Sequence, residues 1–261
     1  MRLGVYGGSF NPIHFGHLRT IEEVRELLKL DEVLFVPAKR PPLKDEGILL
    51  DDDLRMRCVR AALEKHPYFT VSTLEYDRSG TSYTLTTIKD IKRSSRLSNG
   101  ERPFLLVGEA FQSIKKWWNF EELLTETHVV WMSRPGSEMS VDSRKQFVES
   151  LGFCYNSSSR KTFEASADKN TKKTSSPPPR GPADTATNLL DFSTKSPSKE
   201  GISLPRIVEN YTHSSGSELF VVDVTPVHAS STDIRARLSE KRSVRYLVPD
   251  AVYNLLMEET T

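Results

Sequence analysis

The chain has 261 residues, of which 37% are hydrophobic and 27% charged, and its formal net charge is +1. This composition is typical of a globular protein with one substantial core, and the near-neutral charge argues against a broad nucleic-acid-binding face. No apolar run approaches the length of a membrane span, and the N-terminus lacks the regions of a signal peptide. We therefore expect a cytoplasmic protein that binds neither nucleic acid nor a membrane, with Cys58 and Cys154 as reduced thiols.

Hydrophobic periodicity predicts alternating strands and helices along most of the chain. In chain order these are a strand at 3–6, a helix at 14–30, strand 32–37, helix 54–65, strand 69–72, helix 83–93, strand 104–108, helix 120–124, strand 128–132, strand 219–224 and helix 232–238. Such alternation predicts an α/β, Rossmann-like, mostly parallel sheet with helices on both faces, its first two strands adjacent. Ligands of such folds bind beyond the carboxyl ends of the strands.

The segment from about 156 to 203 differs in composition, because it has few bulky apolar residues and a Lys-, Ser- and Pro-rich run at 172–182. It cannot bury enough surface to offset the entropy of ordering it. We therefore predict a single domain over 1–261 that is interrupted by a disordered insertion, which costs little when it leaves a surface loop. A docking or regulatory segment is the alternative interpretation.

The first predicted strand runs into a glycine pair, Gly7 and Gly8, and two histidines follow. Glycines can take positive φ and let the backbone approach a bulky anion. If Pro12 opens a helix, His14 and His17 project from one face of its first turn, where N–H groups and the helix dipole favour negative charge. The combined pattern predicts a phosphate-binding active site. A plain strand-to-helix connection with structural histidines is the alternative.

A second pattern, Ser-Ser-Thr-Asp-Ile-Arg, occupies residues 230–235. Alone it could be only a helix N-cap. Beside the first pattern it suggests a second phosphate-binding element, in which hydroxyls and backbone N–H groups begin a helix and Arg235 offers a bidentate fork.

Residues 8–17 resemble the G-[ST]-F-x-P-x-H-x-G-H signature of the nucleotidyltransferase superfamily, and residues 230–235 resemble its distal S-S-T-x-I-R motif. Within that superfamily the chain is most similar to bacterial-type nicotinate-nucleotide adenylyltransferases. The supporting matches are Pro41-Pro42-Leu43-Lys44 to P-P-H-[KR], Gly80-Thr81-Ser82-Tyr83-Thr84 to G-x-S-Y-T, Trp118 to a family tryptophan, Arg134-Pro135-Gly136 to R-P-G, and Tyr246-Leu247-Val248-Pro249 to Y-L-[VL]-P. The ordered matches cover 1 to about 136 and about 217 to 257.

The resemblance implies an adenylyltransferase that joins nicotinate mononucleotide to AMP from ATP on the route to NAD, without a covalent enzyme intermediate. Its partners would be ATP and nicotinate mononucleotide, and a homo-oligomer is left open. Mg²⁺ would be carried with ATP and held by substrate oxygens and water, so no protein metal ligand is expected.

The resemblance also implies a role for particular residues. The catalytic pair would be His14 and His17. ATP and its phosphates would be bound by Gly7, Gly8, Ser9, Phe10, Lys44, Gly108, Glu109, Ser230, Ser231, Thr232 and Arg235. Nicotinate mononucleotide would be bound by Ser82, Tyr83, Thr84, Trp118 and Arg134. Among these, Trp118 would stack on the pyridine ring while Tyr83 and Thr84 hold the carboxylate, and core packing is the alternative for the aromatic residues.

Two positions depart from the family pattern. After the strand that ends at Val107 the family usually has G-x-D, whose carboxylate binds a ribose hydroxyl, whereas this chain has Gly108-Glu109-Ala110. Glu109 could substitute from the adjacent position, although neighbouring side chains need not point the same way. Leu43 replaces the usual histidine of P-P-H-[KR]. These departures leave open a transferase with another acceptor or a CTP donor, or a catalytically weakened, ligand-binding relative.

Overall fold

The computed structural model describes residues 1–40, 50–94, 96–98, 100–133, 139–156 and 205–259. The predicted insertion lies, apart from its first residue, outside the described residues, and so do Lys44 and Arg134. No helix in the described part of the chain is long and apolar enough to cross a membrane.

The described residues form one sheet of eight strands in the order β3-β2-β1-β4-β5-β8-β7-β6. Their bounds are β1 Leu3–Gly8, β2 Glu32–Pro37, β3 Phe69–Val71, β4 Phe104–Val107, β5 His128–Ser133, β6 Phe153–Tyr155, β7 Arg206–His213 and β8 Glu218–Asp223. The first six strands of that order pair in parallel, and β7 and β6 pair antiparallel at one edge. The predicted mostly parallel α/β sheet is therefore confirmed, and its order reverses between β1 and β4.

The helices are α1 Phe15–Leu28, α2 Asp52–Leu63, α3 Leu74–Asp77, α4 Thr84–Arg93, α5 Phe120–Glu126, α6 Val141–Glu149, α7 Ser231–Ser239 and α8 Asp250–Glu258, and a 3-10 helix spans Glu109–Lys116. Because successive side chains of a strand point to opposite faces of the sheet, the strands contribute to two hydrophobic cores, one on each face. Val33 and Phe35 of β2 pack with helices α1, α2 and α8. Leu34 and Val36 pack with α4, α5 and α6.

The structure corrects two expectations for the first motif. Strand β1 continues through the glycine pair, because Gly7 and Gly8 pair in register with Val36 and Pro37 of β2. The positive φ of this region lies instead at Phe10, with φ of 41°. Pro12 does not open the helix, since α1 begins at Phe15. Pairing with a neighbouring parallel strand outweighs the weak preference of glycine for turns.

Candidate active site

A cleft of about 250 Å³ opens at the carboxyl ends of β1 and β4. The strand order reverses at this point, which is where ligands bind in open α/β sheets. Predicted site residues from distant parts of the chain meet on its walls, namely His14, His17, Gly108, Glu109, Ser230 and Ser231. The structure therefore brings both predicted phosphate motifs and the loop after β4 to one place.

The two histidines form a stacked pair at the beginning of α1. Their ring centroids are 3.7 Å apart and their planes are inclined by 24°. His14 is the N-cap residue, with extended backbone angles, and only 4% of it is exposed. The backbone N–H of His14 donates to Nδ1 of His17 at 3.3 Å. Because one nitrogen of a neutral imidazole accepts while the other donates, this bond makes Nε2–H the donor of His17. The two rings lie together as predicted, but His14 precedes the helix and only His17 is in its first turn.

Gly16 leaves room beside its backbone for the His14 imidazole and the Ala229 carbonyl, and both of these residues line the cleft. A Cβ atom at this position would come within 2.9 Å of the His14 imidazole and 3.0 Å of the Ala229 carbonyl oxygen. Real Cβ atoms essentially never make contacts this short, so any other residue would displace one of these groups. The glycine of the first motif therefore packs the histidine against the segment that precedes α7.

The distal motif begins α7 and holds the first motif in place. Ser230 caps the helix, because its Oγ accepts the Asp233 backbone N–H at 3.1 Å. The hydroxyl of Ser231 donates to the Pro12 carbonyl at 3.0 Å. Arg235 donates through Nη1 to the Asn11 carbonyl at 2.9 Å. The helix N-terminus, with its unpaired N–H groups and favourable dipole, is thereby fixed beside the histidine pair. Ser230 thus serves as a cap and as part of the cleft wall.

Thr232 contributes less directly. Its hydroxyl accepts from Arg235 Nη2 at 3.4 Å, and it is exposed outside the cleft lining.

The loop after β1 packs against a histidine of the cleft. Phe10 is buried, and its ring makes an edge contact with His17 at 5.4 Å between centroids. None of the four residues predicted to bind phosphate in this loop is among the residues that line the cleft, namely Gly7, Gly8, Ser9 and Phe10. Gly7 and Gly8 have no side chain, so a contact from them to a phosphate would come from the backbone.

The loop after β4 presents its acid one residue earlier than the family pattern. Gly108 and Glu109 line the cleft, and Glu109 is exposed to it. Ala110 is not part of the lining, and its carbonyl accepts from the Ser113 hydroxyl at 2.9 Å within the 3-10 helix. The neighbouring carboxylate is therefore the group available at this wall.

The described residues predicted for the nicotinate side are Ser82, Tyr83, Thr84 and Trp118, and none of them lines the histidine cleft. The rings of Tyr83 and Trp118 lie 5.1 Å apart at an angle of 35°. Trp118 is 52% exposed, whereas its neighbour Trp117 packs against the core. Thr84 is the first residue of α4, and Ser82 is buried just before it. Trp118 is therefore an exposed ring beside the half-buried Tyr83, and it does not pack in the core.

Sequence reasoning missed one residue that shapes the site. Arg55 in α2 is completely buried and forms an ion pair with Asp52. Its Nη1 donates to the carbonyls of Ser9 at 2.7 Å and Ala38 at 2.8 Å. It therefore ties the loop after β1 to the loop after β2. A signal existed, because the helical spacing 55, 59, 63 places the arginine on the apolar face of α2.

Comparisons with known proteins agree with this architecture. The Cytidylyltransferase-like family model matches residues 5–237. A probable nicotinate-nucleotide adenylyltransferase of Citrifermentans bemidjiense is 31% identical over 260 residues, covering 99% of this chain and 97% of the relative. One from Pseudomonas syringae pv. tomato is 32% identical over 252 residues, covering 96% and 89%.

The solved structure of Plasmodium falciparum nicotinic acid mononucleotide adenylyltransferase complexed with NaAD has the same fold. The TM-score is 0.59 at 13% identity, over 99% of this chain and 95% of that one. The fold is thus that of a nucleotidyltransferase. The chain belongs to the Cytidylyltransferase-like family, and within it to the nicotinate-nucleotide adenylyltransferases.

Proposed function

We propose that this enzyme joins nicotinate mononucleotide and ATP to give deamido-NAD and pyrophosphate, and that the cleft around the stacked histidines is where the adenylyl group is transferred. The observation that carries the proposal is the meeting of His14, His17 and the N-terminus of α7 in one cleft. All of these groups are donors to negatively charged oxygen. The names of the relatives that match along nearly the whole chain support the same reaction.

In this reaction an oxygen of the acceptor's 5′-phosphate forms a bond to the α-phosphorus of ATP. The bond from that phosphorus to the oxygen of the β-phosphate breaks, and pyrophosphate leaves with its electron pair. No protein nucleophile is needed. The protein accelerates such a transfer by holding the two phosphates in line and by placing donors where charge develops.

The donors divide between the two ends of the cleft. His17, through its Nε2–H, and His14 would contact the α-phosphoryl oxygens in the transition state. Arg235 and the first N–H groups of α7, with Ser230, Ser231 and Thr232, would bind the leaving pyrophosphate. Backbone N–H groups of Gly7 to Phe10 would add donors on the α-phosphate side, and Lys44 would bring a mobile positive charge.

The adenosine half would lie along the loop after β4. Gly108 lets the backbone approach the nucleoside, since nothing lies within 4 Å of where its Cβ would be. Glu109 would accept a hydrogen bond from a ribose hydroxyl, taking the place of the family aspartate.

The acceptor mononucleotide would stack its pyridine ring on the exposed face of Trp118, beside Tyr83. Its carboxylate would meet the first N–H groups of α4 around Thr84, where the helix dipole favours an anion. The side chain of Ser82 is buried and its backbone N–H donates to the Arg40 carbonyl, so its contribution would be to hold the loop that precedes Thr84. Arg134 is proposed as a further cation on this side.

Mg²⁺ is proposed as a companion of ATP. The described residues contain no group of three or more His, Cys, Asp or Glu side chains that could hold a metal ion. Mg²⁺ keeps several of its six oxygen ligands as water and is usually held by one or two carboxylates together with substrate phosphates. The ion would enter on the triphosphate and keep mainly phosphate and water ligands.

The test is to identify the product. The purified protein is incubated with ATP, Mg²⁺ and nicotinate mononucleotide, or with the amide mononucleotide, and the products are separated and weighed by mass spectrometry. We expect deamido-NAD and pyrophosphate in equal amounts, with the acid preferred over the amide. Absence of deamido-NAD under saturating substrates would contradict the proposal.

A further inference from the structure

A buried carboxylate clamps the base of the loop that carries Tyr83. Glu75 lies in α3, before the loop, and Thr87 lies in the second turn of α4, after it. They are 7% and 2% exposed. The hydroxyl of Thr87 donates to Glu75 Oε1 at 2.6 Å, although the residues are twelve apart. The two ends of the loop are therefore joined by a charge-assisted hydrogen bond away from water, which is the stronger kind.

Ser82, a second buried residue of the loop, lies close enough to the same carboxylate to lower its pKa. The backbone N–H of Arg40 approaches Ser82 Oγ at 3.4 Å, and the Ser82 N–H donates to the Arg40 carbonyl at 3.1 Å. Ser82 is thus fixed to the segment after β2. Burial raises the pKa of the Glu75 carboxyl, and the hydroxyls of Thr87 and Ser82 oppose that rise.

Arg78 supplies the balancing positive charge. Its Nη2 donates to Thr87 Oγ1 at 3.2 Å, and its Nη1 pairs with Asp90 of α4 at 2.9 Å. The Thr87 hydroxyl therefore donates its proton to Glu75 and accepts a hydrogen bond from the Arg78 guanidinium.

Tyr83 lies between these fixed points. Its carbonyl accepts the Thr87 backbone N–H at 3.2 Å and lies 3.3 Å from the Thr87 hydroxyl. Ser82, the residue before it, is held by the Arg40 backbone. The backbone on both sides of the Tyr83 side chain is therefore constrained, and its ring lies beside that of Trp118.

We propose that Glu75 is a positioning residue for the acceptor site. Its carboxylate, acting through Thr87, sets the position of Tyr83 beside Trp118 and so shapes the surface on which the pyridine ring of the acceptor stacks. This inference rests on the proposed function. Neither Glu75 nor Thr87 lines the histidine cleft, so the cluster governs the acceptor and leaves ATP binding unaffected.

The kinetic test compares Thr87→Val, which removes the hydroxyl at nearly constant volume, with Thr87→Ser, which keeps it. In Thr87→Val and Glu75→Gln we expect KM for nicotinate mononucleotide to rise about tenfold, with KM for ATP and kcat within about twofold of the parent. Thr87→Ser should restore the parent value. Thr127→Val is the matched control, because Thr127 is also buried and donates to a carbonyl, that of Leu123, in α5.

A second measurement does not depend on activity. Hydrogen exchange of the peptide covering 80–87 should be faster in Thr87→Val and Glu75→Gln than in the parent or in Thr127→Val. Each protein is measured at the same interval below its own unfolding temperature. If Glu75→Gln fails to fold, the comparison of Thr87→Val with Thr87→Ser tests the positioning role by itself. Unchanged exchange, or equal rises in KM for both substrates, would overturn the positioning role. A parent enzyme that forms no deamido-NAD, with exchange changed as expected, would instead contradict the proposed function alone.

Discussion

His17 Nδ1 accepts the backbone N–H of His14 at 3.3 Å while the two imidazole rings stack 3.7 Å apart. One side chain therefore completes the beginning of α1 and presents its other nitrogen to the cleft. This geometry is compatible with a structural role for His17 and with the catalytic role proposed for it. The two roles can be separated experimentally, because asparagine offers a carbonyl oxygen for the His14 N–H but has no imidazole.

We predict that His17→Asn and His17→Ala both lower kcat by about two to three powers of ten, with little change in ATP affinity. This is the size of effect seen when a donor to the transition state is removed. Steady-state kinetics and calorimetric titration with ATP measure the two quantities. His66→Asn is the control, because His66 stacks on Phe69 outside the cleft. A kcat that falls in the alanine variant but not in the asparagine variant would assign His17 only the capping role.

Glu109 and Ala110 give a second test, because Glu109 lines the cleft and is exposed, whereas Ala110 is not part of the lining. Glu109→Ala should weaken ATP binding by about tenfold, since a charged hydrogen bond contributes about 1.5 to 3 kcal/mol and 1.4 kcal/mol is a factor of ten. Ala110→Asp should change the affinity little. Calorimetric titration with ATP decides. Tighter binding in Ala110→Asp, with none lost in Glu109→Ala, would restore the family position as the ribose site.

Arg55 is predicted to be the arginine on which stability depends most in α2. Arg55→Met should lower the free energy of unfolding by about 3 kcal/mol, because the buried carbonyls of Ser9 and Ala38 lose their donor at roughly 1 to 3 kcal/mol each. Arg57→Met is the matched control on the same helix. Its ion pairs are exposed, so we expect a change within about 0.5 kcal/mol. Urea denaturation measures both, and equal effects would show that Arg55 is not a structural anchor.

The lowered pKa of His128 predicts how the free energy of unfolding depends on pH. Burial, with smaller effects of Arg102 and Arg2, lowers its pKa from 6.5 to about 4. Its Nδ1 accepts the Glu218 backbone N–H at 3.1 Å, a bond that protonation there would break. Between these two pKa values the unfolded chain binds a proton that the folded protein does not. Stability therefore falls as pH drops from about 6.5 to about 4, by about 3 kcal/mol from this group.

The measurement is urea denaturation of the parent and of His128→Asn at several pH values across that window. Asparagine can still accept the Glu218 N–H but does not titrate. The difference in unfolding free energy between the two proteins should shift by about 3 kcal/mol in favour of the variant as the pH falls. A difference that stays constant would show that His128 does not titrate with a lowered pKa.

Much of the fold follows from local pattern. Strand β2 has the predicted bounds, and the helix predicted at 54–65 lies within two residues of α2. The antiparallel edge formed by β6 and β7 was not predicted, nor were α6 and α8. Strand β6 has only three residues, too few to show alternation. Its pairing with β7 brings together segments on either side of the predicted insertion, and no local pattern contains that information.

The site divides in the same way. The histidine motif and the distal serines could be predicted because each carries its chemistry in a short run, and the fold brings them together as expected. The role of Gly16 depends on the Ala229 carbonyl, and that of Arg55 on the Ser9 and Ala38 carbonyls. These contacts join residues far apart in sequence. Side-chain type alone could not predict them.

The most direct test of the account is a pyrophosphate-release assay with every pairing of ATP or CTP with nicotinate mononucleotide, the amide mononucleotide and a non-pyridine phosphate acceptor. We expect the highest kcat/KM for ATP with nicotinate mononucleotide, and a loss of that turnover in His17→Asn by the same factor as in His17→Ala. Faster release with CTP or with the non-pyridine acceptor would contradict the assignment. Full turnover in His17→Asn would contradict the mechanism.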